Sequence, residues 1–503
     1  MKNFLKEAAK HTVIFGMGDI AQKMVGFFLL PVYMARLTPE DYGVLAMMGV
    51  VSMLFGNLIA QGIPIACLRF YSTEFPRGEK GAHNSVLSTA LVYMFAASGI
   101  YYGMLIFLAP KLNGLFFKEG DFTRFLVLVF ITDFFRTTSN IPFIVLRARL
   151  LSAVASVIAL VRVTLGTLLI IWFVVVLDMK VEGVIIANLI MAGLVFLGAP
   201  LIPLIVHRKP PLEVSLLRLR EMLAFGLPFV PGAFAMWILS STDRYFLEHF
   251  SSRAELGLYS LGFTFASIIS VVFLGPFRMT WPGLMLPKSL EADAKETFAR
   301  FATYFLFLGA LLGLPIILGS EYVIRIMGPP EYWRAYSVVP VLVVSIVVGT
   351  EGLQAILNTG IFIEKKTSYA PLIVIVGAVC NVLLNLALIP RFGMMGASVA
   401  TLMSGMVMVW VTVRINQRFY PIPYEYGRIA HLGAVFILVV FLNYIANPES
   451  IWLAIPVKTG LLALFLMFLF ATGFFTEGEK NAAKEAIRRY VPFLGIFQSE
   501  GGR

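Results

Sequence analysis

A chain of 503 residues that is 59% hydrophobic, 14% aromatic and only 14% charged, with a mean hydropathy of +0.85, lacks the polar skin that a soluble core of this size needs. The formal charge of +11 does not mark a nucleic-acid groove, because the basic residues sit between apolar stretches and not on one soluble surface. Composition therefore excludes a soluble enzyme and a nucleic-acid binder and leaves an all-α polytopic membrane protein.

The N-terminus MKNFLKEAAKH is basic, but the span behind it is too long and too charged for a cleaved signal, so that span is expected to be retained. Charged and Pro/Gly-rich breaks divide the chain into about fourteen spans of about 20 residues or more. They are expected at 12–35, 42–66, 84–109, 122–145, 152–177, 182–206, 221–247, 256–281, 298–319, 337–363, 369–389, 393–417, 429–447 and 451–475. With the N-terminus inside, the inside segments hold about 26 Lys/Arg and the outside ones about 10. This predicts both termini in the cytoplasm and a multi-pass protein of the cytoplasmic (inner) membrane. The outside loops are too short for a catalytic domain.

The basic, proline-containing stretch HRKPPLEVSLLRLR (207–220) follows six spans and reads as the joint of two halves. A repeat agrees: Phe15-Gly16 matches Phe225-Gly226, Asp41-Tyr42-Gly43-Val44 matches Glu255-Leu256-Gly257-Leu258, and Gly183, Ala187 and Leu189 match Gly396, Ala400 and Leu402. An offset of about 210 to 214 residues between even-numbered halves implies parallel, pseudo-symmetric six-helix lobes. The expected organisation is a lobe at 1–206, a linker at 207–220, a lobe at 221–420, two extra C-terminal helices at 421–475 and an amphipathic tail at 476–503 that lies on the membrane surface.

Cys67 and Cys380 both lie in or beside apolar segments, and His11, His83, His207, His249 and His431 show no paired spacing. No disulfide framework, metal site or cofactor is expected.

Charges inside the spans carry the functional reading. Lys23 lies about 16 Å into span 1, Arg162 is at a similar depth in span 5, and Asp133 and Arg136 are near it in span 4. Such charges face a bundle interior or a wet cavity. Asp19 with Lys23 and Asp133 with Arg136 also fit plain intrahelical ion pairs, with Arg162 snorkelling. Against that, Arg162 has no acid in its own span, and a net positive layer suits an anion. The second half lacks the equivalents of Asp19 and Lys23, and has Glu351 in span 10 and Lys458 in span 14. Arg69 and Arg278, each preceded by a proline and 209 residues apart, form a symmetric pair at the inner mouth, although ordinary positive-inside flanking gives the same pattern.

The segments LLPVYMARLTPEDYGVLAMM, CLRFYSTEF, STDRYFLEHFSSRAELGLYSLGFTFASII, FRMTWPGLML, IFIEKKTSY and NVLLNLALIPRFGMMGASVATLMS carry a resemblance. In them the chain resembles the oligosaccharide (polysaccharide) flippase family of the multidrug/oligosaccharidyl-lipid/polysaccharide exporter superfamily. The resemblance implies two six-helix lobes around a cationic cavity, alternating access, and export of a polyprenyl-diphosphate-linked oligosaccharide. It also implies a groove for the lipid tail at helices 13 and 14. Polysaccharide assembly proteins and membrane lipid are the expected partners.

The expected function is thus a flippase and not an enzyme. Lys23, Arg136 and Arg162 hold the diphosphate, Arg69 and Arg278 receive it, and Asp19, Asp133 and Glu351 are the candidates for a coupling proton or sodium ion. On this reading Arg162→Ala abolishes export without changing the protein level. The alternatives are a multidrug cation exporter of the same superfamily, a membrane glycan polymerase or glycosyltransferase, and a non-transporting scaffold.

Overall fold

The structure is a computed structural model that describes residues 26–60, 62–74, 82–149, 151–203 and 213–481. Their regular structure is helical. In chain order the helices are α1 (Leu30–Arg36), α2 (Pro39–Ala60), α3 (Ile63–Glu74), α4 (Ala82–Phe116), α5 (Thr123–Ala148), α6 (Ser152–Ile171), α7 (Lys180–Gly198), α8 (Leu216–Gly226) and α9 (Val230–Phe250). They continue with α10 (Arg253–Ala266), α11 (Gly275–Lys288), α12 (Ala294–Met327), α13 (Val339–Val344), α14 (Leu353–Leu357), α15 (Thr359–Ile363), α16 (Tyr369–Phe419), α17 (Tyr426–Ile445) and α18 (Ile451–Ala471).

Eleven helical stretches among the described residues are long and apolar enough to cross a membrane. This is a multi-pass membrane protein. Backbone groups in hydrocarbon must be paired within the segment, and helices do this alone. The 51-residue α16 covers two expected spans and is broken at Gly393, whose φ of 53° is open to glycine at little cost. α5 is as long as a span but carries Arg124, Asp133, Arg136 and Arg147. Other spans are interrupted where proline or glycine occurs. A 3-10 turn at Leu227–Phe229 separates α8 from α9 beside Pro228 and Pro231, and a π-helical turn at Ser270–Leu274 precedes Gly275-Pro276. The span over 330–363 is broken most: a π-helical turn at Ser345–Thr350 ends at Glu351, and α14 and α15 follow as short pieces.

The described residues of Met1–Glu291 and Ser320–Pro421 form one compact unit, with α1–α11, the end of α12 and α13–α16. In it the sequence repeat becomes a packing repeat. At the start of α2 the Asp41 amide donates to Thr38 Oγ1 (3.2 Å) and the Thr38 amide to Asp41 Oδ2 (3.0 Å), a reciprocal cap. The same number of residues on as the glycine pair below, the Glu255 amide donates to Ser252 Oγ (3.2 Å) at the start of α10. These two caps present Gly43 and Gly257 to each other's helix. A side chain on Gly43 would run into the Arg253 carbonyl, and one on Gly257 into the Pro39 carbonyl, so the contact is reciprocal. Gly183 and Gly396 are matched too: each sits in a tight corner between consecutive spans, where an added Cβ would stand 3.1 Å from the Phe173 backbone and 2.5 Å from the Leu388 carbonyl oxygen.

Two polar clasps hold the same end of the unit. The Tyr332 hydroxyl donates to the Leu37 carbonyl (3.0 Å). Arg253 donates to the Glu119 carbonyl (2.6 Å), bonds the buried Glu248 and stacks over Phe122 at 4.8 Å. Toward the other end of α2, Gly62 meets Gly226, whose α-carbon would lie 2.6 Å from a Cβ there, and Met222 is buried among Ile63, Cys67 and Val86. The first helix of the second half is thus part of the first half's core.

The second unit comprises the described residues of Ala292–Gly319 and Ile422–Arg503: the start of α12 with α17 and α18. Its centre is Arg428, which donates to Glu425 and Glu479 and lies 4.9 Å over Phe474. Thr476 and Glu479 form another reciprocal cap, and the Tyr304 hydroxyl donates to Glu479.

Candidate functional site

Between the two halves of the first unit lies a cavity of about 380 Å³. α1 and α2 give Tyr33, Tyr42 and Ser52, α5 gives Thr132, Asp133 and Arg136, α7 gives Asn188, α9 gives Arg244, and α10 gives Ser260 and Thr264. Hydroxyl and amide groups therefore line it from both halves, with two guanidinium groups set against one carboxylate. The formal surplus of one positive charge favours an anionic or strongly polar guest.

Each half brings an aspartate–arginine couple. Arg136 lies near the middle of α5, about 20 Å from its Thr123 end at 1.5 Å per residue. Its Nη1 is 3.6 Å from Asp133 Oδ1, and its side chain remains 44% exposed while that of Asp133 is 5% exposed. The i, i+3 spacing that puts both on one helix face was legible in the sequence. Ser52 of α2 donates to the same Oδ1 (2.8 Å), and Asp133 Oδ2 has no hydrogen-bond partner among the described residues. In the second half, Asp243 and Arg244 are adjacent on α9. The Tyr259 hydroxyl donates to Asp243 Oδ2, the Arg244 amide to Asp243 Oδ1 (2.8 Å), and Arg244 Nη1 to the Ser240 carbonyl (2.7 Å). The Arg244 guanidinium lies 4.6 Å over the Phe263 ring.

Of the residues expected from the sequence, Asp133 and Arg136 meet in this cavity. Arg162, on α6, is within Coulombic reach of Arg136 but does not line the cavity. Lys23 and Asp19 lie outside the described residues. Arg69 and Arg278 are elsewhere: Arg69 is stacked over Phe225 at 4.5 Å, and Arg278 pairs with Glu351 at 3.3 Å. Neither of these two arginines ends its helix, since α3 runs on to Glu74 and α11 to Lys288. The Arg278–Glu351 pair ties α11 to the broken span, where Glu351 directly follows the π-helical turn.

Arg244 was not anticipated. It stands in STDRYFLEHF six residues before the end of α9, a position that reads as flanking charge. The adjacent Asp243 was the available signal, because a span-end arginine in water needs no acid beside it.

A family model described as "Polysaccharide biosynthesis protein" matches residues 33–327. The chain belongs to that family. It is 21% identical over 254 residues to a Haloferax volcanii protein named "Probable flippase AglR", an overlap of 49% of this chain and 53% of that protein. The chain thus spans about half the length of the curated relative it matches. In fold it is similar to the lipid II flippase MurJ in an inward closed conformation, with a TM-score of 0.72 and 12% identity over 92% of this chain and 99% of that one. It is also similar to an inward-facing multidrug resistance MATE transporter of the MOP superfamily, with a TM-score of 0.64 and 14% identity over 81% of this chain and 94% of the other. These likenesses identify the fold, a polytopic helical one shared with both structures. The relatives are transporters and flippases by name, not enzymes.

Proposed function

We propose that the protein is a flippase that carries a polyprenyl-diphosphate-linked oligosaccharide across the cytoplasmic membrane by alternating access. The observation that carries this reading is the polar cavity shared by both halves, lined by Arg136 from one half and Arg244 from the other. Its volume suits a head group and not a polyprenyl chain, which stays in lipid. In a cavity walled by apolar helices, charge-assisted hydrogen bonds from guanidinium to phosphate are strong and directional. Arg162 adds positive potential near Arg136, and Lys23, which lies outside the described residues, is a further candidate. Rocking of one half on the other, with both termini on the cytoplasmic side, would open the cavity to each leaflet in turn.

The test is a strain lacking the protein. Lipid-linked sugar should accumulate on the inner leaflet and clear when the wild-type chain is restored but not when Arg136→Ala is. Full clearance by Arg136→Ala would remove the reading. The MATE-like fold supports a second reading, export of cationic drugs, with Asp133 as its acid. Drug efflux that depends on Asp133, with normal lipid-linked sugar, would favour it.

A further inference from the structure

We propose that Asp133 is a proton site whose occupancy releases Arg136 to bind the anionic substrate, so that proton and anion bind together. This rests on the anion-binding reading of the cavity and adds its regulation. Asp133 is buried to 3% exposure, yet it lines the cavity, and only one of its oxygens is engaged among the described residues. A buried carboxylate with an unpartnered oxygen is costly, and either a proton or a close cation relieves that cost. Here the close cation is Arg136, and its contact is loose: 3.6 Å to the oxygen that Ser52 already occupies.

Arg136 therefore has two competing partners. With the cavity empty, it is the counter-charge of Asp133. When a diphosphate draws the guanidinium into the cavity, Asp133 is left buried without its cation and takes up a proton. Read in the other direction, protonation of Asp133 removes the acid that holds Arg136 back and strengthens anion binding by the same factor. The other groups near Asp133 do not replace this exchange. Tyr102 of α4 shares its hydroxyl with Thr137 (3.2 Å), Tyr101 stacks edge-on against Tyr102, and Thr132 is bonded to the Leu128 carbonyl. Arg244 across the cavity is held by Ser240 and Phe263, and Arg162 of α6 repels Arg136 and does not compete for the proton.

The experiment is calorimetric titration of purified full-length protein with farnesyl diphosphate, in two buffers of different ionisation enthalpy and over a range of pH. The wild type should take up about one more proton per anion bound than Asp133→Asn, whose uptake is that of the ligand itself. Its affinity should rise by up to about tenfold for each unit that pH falls through the titration, and that of Asp133→Asn should not exceed the ligand's own dependence. Ser52→Ala, which leaves both oxygens bare, should keep the extra proton. Equal uptake by wild type and Asp133→Asn, with binding still dependent on Arg136, would overturn the proposal and leave the anion site standing. Loss of the coupling when sodium is replaced by choline would overturn it in favour of a metal cation. No binding to wild type, or binding indifferent to Arg136→Gln with Arg244→Gln, would sink the anion site and the proposal together.

Discussion

The two aspartate–arginine couples beside the cavity, which Asp133, Arg136 and Arg244 line and Asp243 does not, are built from the same side chains, but their hydrogen bonding differs. Asp243 has both oxygens engaged, by the Tyr259 hydroxyl and the Arg244 amide, and the Arg244 side chain is only 16% exposed. Among the described residues Asp133 has one engaged oxygen, and Arg136 is 44% exposed. A fully satisfied buried pair has nothing to gain by changing partners, whereas a half-satisfied one can exchange its cation for a proton or a ligand. On this comparison the second-half couple is a fixed wall and the first-half couple is the moving part.

The strongest way to break the comparison is to delete each acid. Asp243→Ala leaves a mostly buried guanidinium and the Tyr259 hydroxyl without their partner and should destabilise the protein by about 3 kcal/mol. Asp133→Ala, with Arg136 free to turn to the wet cavity, should stay within about 1 kcal/mol. Unfolding of the purified variants in detergent measures both, and equal losses would erase the distinction. Next comes transport. Arg136→Ala removes one charge-assisted bond to the anion, about 2 kcal/mol or some thirtyfold in export. Arg162→Ala acts through field alone and should cost less, so the order of these two variants in a flipping assay tests whether lining the cavity matters more than depth.

A smaller effect tests the symmetry that frames the couples. Gly43→Ala and Gly257→Ala each place a methyl group against the opposite helix's backbone, and overpacking of this kind costs about 1 to 3 kcal/mol. Because the contact closes one end of the unit, both should shift the population toward states open there. Thiol labelling of an introduced cavity cysteine reads this shift, and a large difference between the two would mean that the pseudo-symmetry is not mechanical.

The fold was largely legible, because its causes are local. Apolar length sets the spans, and the turn residues at Thr38–Gly43 and Ser252–Gly257 repeat because each must cap a helix and admit a neighbour's backbone. The Asp133–Arg136 couple was legible from helical spacing. What spacing does not encode is which charges meet across helices. Arg278 was read as an entrance and is tied to Glu351, Arg69 is stacked on Phe225, and Arg244 turns inward from what reads as a span end. For Arg69 and Arg278 the partner comes from a distant segment, which a single sequence does not name, whereas the partners of Arg244 are near it in the chain and only the packing of its helix against the other half turns it inward.

The smallest expected effect comes from a third acid–arginine couple, Arg428 with Glu479 in the second unit, which serves as the screened control. Burial by itself would raise the Glu479 carboxyl, but the Tyr304 hydroxyl, the Thr476 amide and Arg428 together outweigh it and hold it below the usual carboxylate range. A lowered folded value means that the contribution is fully present above the unfolded value of about 4.3 and is lost as pH falls through the folded value. The couple is partly exposed, so solvent and salt should limit that contribution to about 1 kcal/mol or less. Acid unfolding at low and high salt should therefore show a small stabilisation that is present above about pH 4.3 and lost in more acid solution, that Glu479→Gln removes and that salt weakens. Asp133→Asn, at a position only 3% exposed, should show no such salt dependence. If the two acids respond alike to salt, Asp133 is screened by solvent despite its burial, and the first-half couple has no special freedom to trade its cation for a proton.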